Sequence, residues 1–337
     1  MVDFRYHIVS LMAVFLALAV GIILGAGPLQ NSIGDNLSGE VGALREANTN
    51  LKTTNEQLAD ENEHYVAAFS QFAPTLLEGT LTGRSIAIVT FPGTADEDLE
   101  KVQEQATQAG ATVSGVFDVQ SAWTDAKSSA YRSSFAEQIK TYISDAGEES
   151  DANKILALAL NQMIREGTNA YANKVLSELM TSADTVMLKV REGGTAASSA
   201  VIFLSPDMPD LTPQKDTTQD PDKVAQAEYD AKTFSALVDT VGQKTPTVLG
   251  GYANSQNDLV MLARTGNINA SSVDTMNSPL GATNAVLAVA AELQEQKVNY
   301  GFADGVDAIV GKRIVAPEAE KPAEEGAAES AEQADNE

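Results

Sequence analysis

The hydrophobic pattern of the chain changes its period twice. From Ile8 to Ala26 it is an unbroken apolar run, IVSLMAVFLALAVGIILGA, with Ser10 as its only hydroxyl and no charge. About 20 such residues suffice to cross a bilayer as a helix, and Ser10 can bond back to its own helix. From Gly34 onward the run gives way to a seven-residue repeat. Its d positions are Leu37, Leu44, Leu51, Leu58, Tyr65 and Phe72, and its a positions are Gly34, Val41, Asn48, Asn55, Asn62 and Phe69. A repeat sustained this long predicts a left-handed coiled coil, a stalk of roughly 55–60 Å at the helical rise. Pro74 follows Phe72, where the helix is expected to stop.

Beyond Gly79 short apolar runs alternate with helical patterns. Ser85–Phe91 is a continuous apolar run closed by Pro92-Gly93, as in a buried strand. Asp96–Ala109 reads as a helix with acidic residues at its start, and Thr112–Val119 as a second strand. Helices are expected at about 125–144, 152–166, 170–190, 222–241 and 282–296. Further strands are expected at Ala200–Ser205, Thr247–Gly250 and Asp258–Arg264. The sum is about five strands with helices on both faces, a doubly wound, mostly parallel α/β domain. Residues 206–221, with four Pro and four Asp, read as an exposed loop. Pro317–Glu337 holds eight acidic residues and one Lys with no large apolar group, so it is expected to be disordered. The domain boundaries are therefore 1–29 for the anchor, 30–73 for the coiled coil, 80–315 for the α/β domain and 316–337 for the tail.

The a and d positions specify the partner. The expected interface is Val41, Leu44, Asn48, Leu51, Asn55, Leu58, Asn62 and Tyr65. A buried Asn layer costs stability but fixes register and strand number. Two chains leaving one membrane at the same residue must run parallel, which sets each Asn opposite its twin, and Glu40 can reach Arg45 of the partner copy. The expectation is a parallel homodimer. Two alternatives are an amphipathic helix packed on the chain's own domain, and a zipper marginal enough to exchange its partner for another protein's coiled coil.

Charge and composition narrow the function. The chain has 22 basic and 47 acidic side chains, a net −25, of which the tail carries −7. That balance opposes binding to nucleic acid and to anionic lipid. Arg5 precedes the apolar run and no Lys or Arg follows it until Arg45, which places residues 1–7 in the cytoplasm and the body outside. The alternative is a cleaved signal peptide ending near Gly25-Ala26-Gly27, but the apolar run exceeds the usual h-region. There is no Cys and only two His, which removes disulfides, thiolate chemistry and Cys/His zinc sites. His7 lies at the membrane edge and His64 on the outer face of the zipper, so no histidine base is available for a triad.

Other candidate chemistry is weak. Gly305–Arg313 misses the phosphate-loop spacing by one residue and has Arg where Ser or Thr must hold the metal. Gly250-Gly251 reads as a turn. Asp96, Glu97, Asp98 and Glu100 fit a helix N-terminus better than a cation loop. The eight Met are too scattered for a copper(I) site. No catalytic, cofactor or metal residue is assigned, and an enzyme working through carboxylates is the least favoured class.

The stretch Arg5–Gly25, the zipper after it, Gly83–Phe91, Ala95–Glu100, Gly110–Val113, Ser272–Thr275 and Val298–Gly301 resemble the actinobacterial MctB family, also named SteB in a cell-division setting. The likeness covers about residues 1–305. It implies one of two roles: a copper-efflux or porin-like channel in the outer membrane, or a membrane-anchored dimer that works with a cytoplasmic partner and, through envelope partners, controls a peptidoglycan hydrolase during cell separation. Copper enters by the family name alone. The residues favour a single-pass anchored adaptor, because a spanning barrel needs many segments of about 10 residues alternating apolar and polar.

Overall fold

The structure is a computed structural model that describes residues 4–182, 185–211, 220–266 and 268–315. The acidic tail and residues 212–219 of the Pro/Asp-rich loop lie outside the described residues. The chain forms two compact units, residues 1–67 and 68–337.

The first unit is made by helix α1 (Phe4–Leu77) alone, as the apolar run and the heptads predict. The second unit begins with the last turns of α1. Its elements then follow as β1 (Ser85–Thr90), α2 (Asp96–Gln108), β2 (Thr112–Val119), α3 (Ser121–Thr124), α4 (Ser129–Ile139), α5 (Ala152–Glu166), α6 (Tyr171–Ser182) and β3 (Leu188–Gly193). After these come β4 (Ala200–Leu204), α7 (Pro221–Gly242), β5 (Thr247–Gly250), α8 (Leu259–Arg264), β6 (Ser271–Val273), α9 (Pro279–Glu292) and β7 (Asn299–Tyr300).

The strands form one sheet in the order β3-β2-β1-β4-β5-β6-β7, with only β3 antiparallel. The chain winds outward from β1 in one direction, crosses over and winds outward from β4 in the other, which makes β1/β4 the switch point of a doubly wound sheet. β1 and β4 are buried almost throughout, as strands covered on both faces must be. Their side chains alternate between two cores. Ala87, Val89, Val201 and Phe203 join one with α4 to α8; Ile86, Ile88, Ile202 and Leu204 join the other with α2 and α9. Local caps place the long helices. The Asp151 carboxylate accepts from the Asn153 and Lys154 amides at 2.8 and 3.3 Å to start α5, and Asp220 precedes Pro221 to start α7.

Several expectations are corrected. Asp258–Arg264 is not a strand: Asp258 precedes the short helix α8, whose buried side chains Leu259, Val260, Met261 and Ala263 gave an apolar run that looks the same in either state. The sheet has seven strands rather than five: four of the expected strands are present, and β3, β6 and β7 join them, the last two only three and two residues long with almost no pattern. The helix expected at 170–190 ends at Ser182, and β3 follows as a half-exposed edge strand. The helix expected at 125–144 is broken into α4 and short 3-10 turns. Pro74 does not end α1, which runs on to Leu77. Ala73 and Leu77 there are fully buried. Burying them contributes a few kcal/mol, enough to offset the roughly 3 kcal/mol that an interior proline costs.

Candidate functional site

Two features present chemistry to the outside, one on each unit. The first is the heptad face of α1. All eight residues expected at the interface lie on it, and all are exposed. Leu44 is 69%, Leu51 65%, Leu58 57% and Tyr65 72% exposed. Asn48, Leu51, Lys52 and Asn55 together wall a shallow groove on this face. These are successive a, d, e and a positions, the four residues that form the hole for a partner's d-position knob in a parallel pair. Lys52 also reaches Glu56 at 3.9 Å one turn on. N-terminal to the heptads, Phe4–Gly25 has a mean hydropathy of 2.8 and is long and apolar enough to cross a membrane.

The second feature is a cleft of about 410 Å³ at the carboxyl ends of β4, β5, β6 and β7. Open parallel sheets bind ligands beyond the carboxyl ends of their strands, above all at the switch point, here β1/β4. Its floor is set by Asp274, directly after β6. The Asp274 carboxylate meets the Arg264 guanidinium at 2.9 Å, with both side chains almost fully buried. It also accepts from the Phe302 amide at 2.9 Å and the Ala303 amide at 3.0 Å. Arg264 is held further by Ser272 Oγ at 3.1 Å and the Tyr300 carbonyl at 3.0 Å. Gly301, at φ +134°, is required between them, because a Cβ there would lie 1.9 Å from Asp274 Oδ1. Among the described residues Thr275 is one of two non-glycine residues at positive φ (64°), and it lines the cleft.

The opposite wall comes from the β5–α8 segment. Tyr252 donates its hydroxyl to Asp98 Oδ2 at 2.8 Å, and Asn254 Nδ2 donates to Asp207 Oδ1 at 3.0 Å. Burial, the bond to Asp98 and the negative charge of Asp98, Asp207 and Glu97 push the Tyr252 phenol far above its ordinary range, so it remains a donor. A second cleft of about 440 Å³ lies at the β1/β4 switch point between Pro92, Pro206, Met208, Lys223 and Phe234.

The weak candidates fall into place. Asp96 to Asp98 sit in the first turn of α2 as expected. In addition, Asp96 pairs with Arg191 at 2.6 Å, and Asp98 with Lys101 at 3.9 Å. Gly250-Gly251 is a close-packing point rather than a turn, since a Cβ on Gly250 would meet Met276 Sδ at 2.9 Å. Gly311 in the phosphate-loop look-alike packs on Tyr300 and Leu287. His64 is exposed. Among the described residues, no group of three or more His, Asp or Glu side chains comes together in a way that holds a metal ion. Sequence reasoning missed the cleft. Tyr252 and Asn254 follow a strand that was legible, so the rule that ligands gather at carboxyl ends points to them; Asp274 and Phe302 follow strands too short to see.

A family described as "Copper transport outer membrane protein, MctB" matches residues 1–310. Among curated proteins, "Copper transporter MctB" of Mycobacterium tuberculosis (strain ATCC 25618 / H37Rv) is 29% identical over 209 residues, 58% of this chain and 62% of that protein. "Copper transporter MctB" of Mycobacterium leprae (strain TN) is 33% identical over 168 residues, 48% of this chain and 52% of that protein. The chain thus spans about half to three-fifths of the length of the curated relatives it matches.

Proposed function

The chain belongs to the MctB family of copper transport outer membrane proteins, and within that family we propose that it acts as a single-pass, membrane-anchored adaptor that dimerises through α1 and presents its α/β domain to a protein partner in the cell envelope. The observation that carries this reading is the uncovered heptad face. Burying Leu44, Leu51 and Leu58 contributes roughly 1.5–3 kcal/mol each, or roughly 9–18 kcal/mol over two chains before the cost of the Asn layers and of association. The charge pattern agrees. In a parallel pair Glu40 meets Arg45, and no g-to-e pair along the stripe sets like charges together. Below it, Ala13, Ala17, Gly21 and Gly25 recur every four residues in the apolar helix, a spacing that lets two membrane helices approach closely. Residues 1–7 lie in the cytoplasm and the body outside, following the position of Arg5. The reading assigns the chain no catalytic step.

A channel role, which the family name invites, draws less support from this fold. The seven strands make one open sheet covered by helices on both faces, the architecture of an aqueous α/β domain, whereas a membrane barrel closes its sheet on itself. If copper is carried, it is cargo handled with a partner. The test is deletion of residues 34–72 in the full-length protein. The variant should sediment as a monomer in detergent while its α/β domain melts at the wild-type temperature; a variant that remains dimeric contradicts the reading.

A further inference from the structure

The cleft at the carboxyl edge of β4–β7 is built more firmly than an idle surface depression needs to be. Phe302 is 64% exposed, a costly state for a large apolar ring. Yet its backbone is not loose: its amide is fixed to the buried Asp274 carboxylate, which the buried Arg264 holds in turn. A mount of this kind keeps a ring in place for contact. Beside it the lining is polar, with Asp207, Asn254 and Asn277 alongside Thr275 and Tyr252.

The composition of the lining defines the ligand. No Lys or Arg lines the cleft among the described residues. Lys101, beside it, is engaged by Asp98 Oδ1 at 3.9 Å and by the Asn277 carbonyl at 3.3 Å, so an anion has little to bind. A hard cation is poorly served too, because both Asp274 oxygens are already taken by amides and the Oδ2 atom also by Arg264. A purely apolar ligand would strip water from the Asn277 amide and from the Asp207–Asn254 pair, whose one mutual bond leaves further donors and acceptors unmet. What remains is a neutral molecule with one apolar face and several hydroxyl groups, each both donor and acceptor, to match the side-chain amides and the carboxylate. We propose that the cleft binds a glycan, with the C–H face of one sugar unit on Phe302 and its hydroxyls paired with Asp207, Asn254 and Asn277. The volume of about 410 Å³ is within the ordinary range for a small-molecule site. This assignment is independent of dimerisation through α1.

The test uses the full-length protein in nanodiscs. Soluble tetrasaccharides of N-acetylglucosamine, glucose, galactose and arabinose, and the corresponding monosaccharides, are titrated by saturation-transfer NMR. At least one tetrasaccharide should bind with a Kd of about 1 mM or tighter. Phe302→Ala, at an exposed position, should weaken that binding about tenfold, and Asn254→Ala should weaken it as well. Tyr171→Ala, which removes an exposed ring outside the cleft (79% exposed), should leave it unchanged. Binding by the tetrasaccharide alone assigns the cleft to a polymeric glycan, and equal binding by its monosaccharide assigns it to a free sugar. Absence of binding by every sugar, or binding that Phe302→Ala and Asn254→Ala leave intact, overturns the proposal.

Discussion

Asp274→Asn removes the buried charge on the floor of the cleft while barely changing its shape. In the wild type Asp274 Oδ2 takes both Arg264 Nη2 and the Ala303 amide, and Oδ1 takes the Phe302 amide. Asparagine keeps one acceptor oxygen and puts an NH2 donor where the second stood. The Arg264 side chain, only 2% exposed, keeps Ser272 Oγ and the Tyr300 carbonyl but loses its counter-charge. Removing one partner of a buried ion pair costs about 3–5 kcal/mol. For a domain of this size, at about 2–4 °C per kcal/mol, the melting temperature should fall by about 6–20 °C. Calorimetry of the full-length protein in detergent reads this directly. The double variant Arg264→Met/Asp274→Asn should recover part of the loss, because no orphaned guanidinium remains. A single variant that costs less than about 1 kcal/mol, the range of exposed surface pairs, would refute the claim that this pair clamps the cleft floor.

Two further outcomes follow from the same reasoning. Replacing the three a-position residues together (Asn48→Leu, Asn55→Leu, Asn62→Leu) should tighten self-association and relax its stoichiometry, giving species larger than dimers in sedimentation velocity; one dimer of unchanged affinity would count against buried Asn layers. Burial raises the Glu292 pKa above its ordinary 4.5, against the bonds from Ser271. The folded state therefore binds this proton more tightly than the unfolded chain, so this group's contribution to stability grows as pH falls from neutrality toward about 4.5 and is lost as pH rises through the folded value. Glu292→Gln keeps an acceptor for the Ser271 amide and hydroxyl, at 2.9 and 2.6 Å. It should raise the melting temperature at neutral pH and flatten its pH dependence, and a fall at neutral pH would show that the charge is compensated.

How much of this was legible depended on run length. Ile8–Ala26 and the heptads are long and periodic, so α1 could be read with its register. β1, β2, β4 and β5 were readable because parallel strands buried on both faces leave apolar runs between turn residues. β6 and β7, of three and two residues, leave no such run, and with them went Asp274 and Phe302. Leu259–Ala263 misled because a short, largely buried helix and a buried strand share one composition. Pro74 misled because a local rule about helix ends was outweighed by the burial of Ala73 and Leu77 on either side of it. The cleft rests on contacts such as Tyr252 with Asp98, 154 residues apart in sequence, which no local pattern encodes.

The proposed adaptor requires α1 to pair with a second copy of itself, in parallel and in register. The chain contains no cysteine, so one engineered thiol is an unambiguous reporter. Leu51→Cys stands at a d position, where two copies in register bring their Cβ atoms within disulfide reach. Thr53→Cys stands on the opposite face of the same turn. Under mild oxidation of intact membranes, Leu51→Cys should give a disulfide-linked dimer and Thr53→Cys none. Failure of Leu51→Cys to crosslink, or equal crosslinking of both, would contradict that pairing.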